Sequence, residues 1–167
     1  MLAILAVCAA PVVAAWIAYF VSPPASRSNY GELIEPRPLP GMSALRGKWL
    51  LVQIDAAECG GACRRKLLYM RQARLTQGRD MERIERVWLV ADGAPIDPAL
   101  LREFDGTIVL RAEGGALLKE FPAPRAAADH IYLVDPLGNL VLRYPPDPDP
   151  GGLKRDLSRL LRASRIG

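Results

Sequence analysis

The stretch best equipped for chemistry is Asp55-Ala-Ala-Glu-Cys59-Gly-Gly-Ala-Cys63-Arg-Arg-Lys66. An apolar run, Trp49 to Ile54, precedes it and reads as a buried strand, and a segment with helical spacing follows. Cysteines at i and i+4 on a helix share one face a single turn apart, so both sulfurs can reach each other or one ion. Gly60 and Gly61 permit a tight bend there and leave the first thiol uncovered. Free amides at the helix start favour thiolate over thiol, as do Arg64, Arg65 and Lys66, while Glu58 opposes them. The pattern points to a dithiol site, for electron exchange or for a soft metal ion. The spacing leaves a structural disulfide open as well, or two cysteines that only pack.

Such a site needs a strand and a helix to hold it, and the flanking sequence supplies both. The spacing of Leu67, Leu68, Met70 and Leu75 predicts a helix from Ala62 to about Gln77, with an apolar stripe between arginines. Arg83 to Val90 is continuously apolar at its end, as suits a strand covered on both faces. Pro98 opens a short helix, Thr107 to Leu110 is a short strand, and Ala116 to Phe121 a short helix. Ile131–Val134 is a further apolar strand. Asp135-Pro-Leu-Gly138-Asn then turns the chain, and Leu140–Tyr144 returns as its hairpin partner. An amphipathic helix closes the chain, from about Gly152 to Ala163. Strands alternating with helices and ending in a hairpin predict an α/β fold with a central mixed sheet.

The 167 residues are half apolar, enough for one domain with a sizeable core, and three cysteines are too few for a disulfide scaffold. Residues 1–21 carry no charge, and a helix of that length spans a bilayer core of about 30 Å, with Trp16, Tyr19 and Phe20 at its C-terminal end. They are expected to form a transmembrane anchor. A cleaved signal peptide is disfavoured by the lack of a basic leader, and a lipoprotein reading of Cys8 by Val7 before it. Residues 22–43, with Pro23, Pro24, Pro36, Pro38 and Pro40, are expected to be an extended spacer, and residues 44–167 the folded domain. The net charge of +4 is concentrated between Arg64 and Arg86 and in the last helix. Solvated helix faces explain it most simply; the chain carries no nucleic-acid motif, and no nucleic-acid partner is expected.

A turn Arg46-Gly-Lys48, a buried strand, a cysteine pair opening a helix and a later apolar strand ending in Asp135-Pro-x-Gly138 together resemble the thioredoxin-like superfamily. Three residues between the cysteines, with an anchor and spacer ahead, resemble its Sco family of membrane-anchored copper proteins, which assist the assembly of cytochrome c oxidase. The resemblance spans about residues 44–163. It implies a thioredoxin-like sheet flanked by helices, a domain on the periplasmic side of the inner membrane, and copper(I) held by Cys59, Cys63 and His130. Asp129 would stand beside the imidazole to orient it. The alternative for His130, the only histidine, is a polar cap at a strand start, bonded to backbone. Two thiolates and an imidazole suit Cu(I), with zinc the main competitor.

Three functions follow. The chain is a metallochaperone or assembly factor that holds copper, or keeps a partner's copper ligands reduced, the partner being the copper-bearing oxidase subunit or another assembly protein. Alternatively it is a thiol–disulfide oxidoreductase acting on exported proteins, or an adaptor whose cysteines form a fixed bridge.

Overall fold

A computed structural model describes residues 2–21, 29–112 and 115–166, with backbone only for 2–6, 18, 19 and 21. Six strands form one sheet: β1 (Glu32–Pro38), β2 (Trp49–Asp55), β3 (Ile84–Val90), β4 (Thr107–Arg111), β5 (Ile131–Val134) and β6 (Asn139–Arg143), in the order β1-β6-β5-β2-β3-β4. β2, β3 and β4 run parallel; β5 pairs antiparallel with β2, β6 with β5, and β1 with β6. The helices are α1 (Leu2–Val21), α2 (Gly61–Leu75), α3 (Pro98–Glu103) and α4 (Pro150–Ala163). This is the mixed-sheet α/β fold expected from the alternation of elements.

Strand alternation divides the core in two. Trp49 and Leu51 of β2, Trp88 and Val90 of β3, and Ile131 and Leu133 of β5 face α2, α3 and α4, meeting Leu67, Met70, Leu100, Leu157 and Leu161. Leu50, Val52, Ile54, Leu89, Tyr132 and Val134 point the other way, onto Leu39, Met42 and Phe121. That second face is closed by 3-10 turns, Pro40–Leu45 and Leu117–Glu120, the latter where a short helix was expected. The hairpin turn matches its reading: Gly138 has φ +90°, and the Asp135 carboxylate accepts from the amides of Leu137 and Asn139.

The proline-rich segment departs from expectation. Residues 32–38, read as spacer, form the edge strand β1, so the folded domain begins before residue 44. A sheet edge tolerates proline, and the register of β1 against β6 shifts between Leu33 and Arg37, around Pro36. The strand is clamped from its start: the Asp156 carboxylate, only 3 % exposed, accepts from the amides of Tyr30 (3.0 Å) and Gly31 (2.8 Å). A Cβ on Gly31 would come within 1.8 Å of Leu142 Cδ2, which is why glycine sits there.

α1 holds twenty residues with Pro11 inside it and no charged side chain. Among the described residues no helix is long and apolar enough to cross a membrane.

Asp156→Ala leaves the buried Gly31 amide and the part-buried Tyr30 amide without their acceptor and should lower unfolding stability by about 2–4 kcal/mol, measured by urea denaturation. A loss under about 0.5 kcal/mol would mean that residues 30–38 are a loosely held spacer after all.

Candidate functional site

β2 ends at Asp55, a turn follows in which the Cys59 amide donates to the Ala56 carbonyl at 3.2 Å, and α2 starts at Gly61. Cys59 has φ 45°, a left-handed conformation that costs a non-glycine residue energy and is held by its surroundings. That backbone turns the side chain inward, and Cys59 and Cys63 are joined as a disulfide, with Cα atoms 5.1 Å apart. Both are buried, at 2 % and 1 % exposure, so Cys59 is not the uncovered thiol that the neighbouring glycines suggested. The openness lies in the chain beside it: Glu58, Gly60, Gly61 and Ala62 are exposed, and a Cβ built on either glycine meets nothing within 4 Å.

Two buried polar groups stand near the start of α2: Gln53, not singled out from sequence, and Lys66, there read only as one of three cations favouring thiolate. Gln53 is fully buried on the α2-facing side of β2, and its Nε2 donates to Cys63 Sγ at 3.3 Å. Its Oε1 is buried with no partner among the described residues. The signal was there, an amide inside the apolar run Trp-Leu-Leu-Val-Gln-Ile. Lys66, one turn past Cys63 on α2, is equally enclosed. Its Nζ pairs with Asp55 Oδ2 at 2.8 Å and donates to the carbonyls of Ile54 (3.3 Å) and Ala128. The paired ammonium, with three oxygen partners, ties the start of α2 to β2 and to the turn before β5. Gly60 caps α2 without a side-chain hydrogen bond, so the helix start points free amides at the pair. On reduction, Cys63 Sγ keeps the Gln53 amide as a donor beside it.

His130 is held elsewhere. It follows the 3-10 turn Ala127–Asp129 in extended conformation, and its Nδ1 donates to the Tyr144 carbonyl at 2.7 Å. Gln53 pairs in register with Ile131, so alternation puts Ile131 on the disulfide side and His130 on the other, with Tyr132. Its ring lies edge-on to that of Tyr132, centroids 6.0 Å apart. Burial pushes the Tyr132 phenol up to about 12, so this hydroxyl, which donates to the Pro122 carbonyl, stays protonated. Among the described residues no three His, Cys, Asp or Glu side chains gather to hold a metal ion. The expected copper set of Cys59, Cys63 and His130 is thus divided: the two sulfurs meet, and the imidazole caps a strand and bonds backbone. Asp129, expected to orient the imidazole, instead lines a cavity with Lys66 and Asp147 beside α2.

Comparison with known proteins agrees with this architecture. The family described as "Transmembrane-like, thioredoxin-like, C-terminal domain" matches residues 49–164. No curated protein matches the chain by sequence. Among solved structures, apo Sco1 from Thermus thermophilus is similar with TM-score 0.59 and 19 % identity, covering 83 % of this chain and 98 % of that one. Yeast Sco1 with copper bound gives TM-score 0.60 and 16 % identity, covering 83 % and 96 %. The thioredoxin domain of a thiol–disulfide oxidoreductase from Bacteroides vulgatus gives 0.54 and 18 %, covering 81 % and 98 %. At these identities the likeness is one of fold, Sco-like and thioredoxin-like alike.

Gln53→Leu removes the donor beneath Cys63 without changing the fold's apolar pattern. In the reduced protein the thiolate of Cys63 should become about tenfold scarcer near neutrality, followed by ultraviolet absorbance across pH. An unchanged titration would show that Gln53 serves packing alone.

Proposed function

The chain belongs to the transmembrane-like, thioredoxin-like C-terminal domain family, and on that footing we propose that it is a membrane-anchored thiol–disulfide protein whose Cys59–Cys63 pair keeps the cysteines of an exported partner reduced. The observation that carries this reading is the bridged pair at an uncapped helix start, between Gln53 and Lys66. The reduced pair acts in two steps. A Cys59 thiolate attacks one sulfur of the partner's disulfide, forming a mixed disulfide and releasing the partner's other sulfur as a thiolate. Cys63 then attacks Cys59, the partner leaves with its second thiol, and the Cys59–Cys63 bridge closes. Two electrons pass to the partner, and a dithiol protein of the thioredoxin class must return them to start another cycle. Cys59 takes the attacking role because it lies outside α2 beside exposed Glu58 and Gly60, whereas Cys63 is within the helix against Gln53.

The partner we propose is the copper-bearing subunit of cytochrome c oxidase or a protein of its assembly, since the cysteines of such a site must be reduced before metal enters. The likeness to Sco structures, one of them from yeast with copper bound, supports this choice. A resident copper ion is not supported by the residues as placed. A Cys₂His set needs an imidazole on the α2 side of the sheet, and His130 stands on the other. Thiol exchange is therefore the chemistry assigned to this chain, and Cu(I) is at most a cargo of the reduced sulfurs.

The uncharged segment 1–21 fits a single-pass anchor in the inner membrane, and a role on an exported partner requires residues 29–166 on the periplasmic side. Trapping tests both the chemistry and the place. In a Cys8→Ser background, Cys63→Ser should accumulate a mixed disulfide through Cys59 with an exported protein, resolved on non-reducing gels and identified by mass spectrometry. The same chain with Cys59→Ser should trap several-fold less. A cytosolic protein as the main adduct would reverse the topology, and no adduct with either variant would leave the bridge as a fixed structural link.

A further inference from the structure

At the far end of α2 from the disulfide, some 12–16 Å along the helix axis, arginines converge on a second site. A cavity of about 390 Å³ opens between the last turns of α2, the end of α3 and the start of β3, lined by Arg71, Arg74, Arg86 and Arg102 with Glu103 and Asp105. Arg86 forms its floor. It lies within β3 on the helix side of the sheet and is only 4 % exposed. Its Nη2 donates to the Asp105 carbonyl at 2.6 Å, but its Nε and Nη1 are buried with no hydrogen-bond partner. Thr107 of β4 stands in register with Arg86, and its Oγ1 is also buried without a partner. Arg86 thus brings two unsatisfied buried donors to the cavity, with a third unsatisfied polar atom beside it on β4.

The charge around them is unbalanced. Arg74 donates from Nε to the Ile84 carbonyl and Arg71 from Nη1 to the Glu103 carbonyl, so both cations are steadied by neutral oxygens and keep their charge. Glu103 is engaged by Arg64, its Oε2 lying 2.9 Å from Arg64 Nη1. Burial, and then the nearby charges of Arg74 and Arg71, hold the Arg86 guanidinium below its usual range, the mark of a cation waiting for an anion. Gly106 completes the cradle: at φ +74°, a Cβ there would sit 3.1 Å from Arg86 Nη2.

We propose that this cavity binds a phosphate-type oxyanion, either inorganic phosphate or the phosphoryl group of a small monoester. Guanidinium donors match the tetrahedral oxygens in pairs, and the volume exceeds what free phosphate alone would fill. With a charge of about −2, the ligand offsets the excess of the four arginines over Glu103 and Asp105 at the cavity. It also bridges the C-terminal half of α2 to β3 and β4, so its presence stiffens the helix that carries Cys63.

The test uses the full chain in phosphatidylcholine nanodiscs, comparing the thermal midpoint in 20 mM phosphate with that in chloride at matched ionic strength. Phosphate should raise the midpoint by roughly 4 °C, as a site of about millimolar Kd would. Arg86→Met should abolish the rise, and Arg71→Gln with Arg102→Gln, both exposed rim positions, should weaken binding at least tenfold in phosphorus NMR titrations. The rim variant carries the test if the Arg86 variant does not fold. A lipid headgroup offers the same chemistry: nanodiscs containing phosphatidylglycerol would then raise the midpoint in chloride, with phosphate adding nothing. Equal midpoints in phosphate and chloride, or a phosphate rise of the same size in the rim variant, would overturn the proposal.

Discussion

The site depends on the burial of one ammonium group. Lys66 Nζ holds Asp55 at the end of β2, the Ile54 carbonyl on the same strand and the Ala128 carbonyl in the turn before β5. An unpaired charge there would cost several kcal/mol, so α2 has little freedom to rotate or slide without breaking these contacts. Lys66 lies three residues beyond Cys63, one turn along the same face. Fixing the lysine fixes the helix start, and with it the sulfurs. The same contact sets the height of the turn 127–129 and so the point at which His130 joins the sheet.

That entry point decides which chemistry the chain can do. His130 reaches extended conformation one residue before Ile131, and alternation sends its ring away from α2. Its bond to the Tyr144 carbonyl ties β5 to the segment after β6, a structural task. The sulfurs are left with the Gln53 amide and a helix terminus beside them. Those are the neighbours of a thiol whose charge state matters, whether or not a metal ever visits it.

Much of this was legible in the sequence. The strands at 49–55, 84–90 and 131–134 and the helix carrying Cys63 announced themselves through continuous apolar runs and 3.6-residue spacing, signals that follow from burial. The closeness of Cys59 and Cys63 was expected from their spacing, while their bridge was one of the alternatives left open, and Cys59 itself stands before α2. β1 did not show, because Pro36 and Pro38 are signs of irregular chain everywhere except at a sheet edge, and edge position is a tertiary fact. For His130 both a copper ligand and a backbone-bonded strand cap were open, and the structure has the cap, because one residue of register changes the face. The burial of Cys59 depended on its positive φ, which no local propensity predicts for cysteine. Gln53, Lys66 and Arg86 were visible as polar letters in or near apolar runs, but only the fold shows which of them face a sulfur and which a cavity.

The central claim is that Cys59–Cys63 is a reversible two-electron couple that works without His130. It is met most directly by equilibrating the full chain, with Cys8→Ser, in thiol–disulfide buffers of graded potential and counting free thiols. A single transition is expected between about −180 and −270 mV, where exchange proteins lie, at the same potential in His130→Ala. A pair that stays oxidised below about −300 mV, or a transition that moves by more than about 30 mV when His130 is removed, would contradict it.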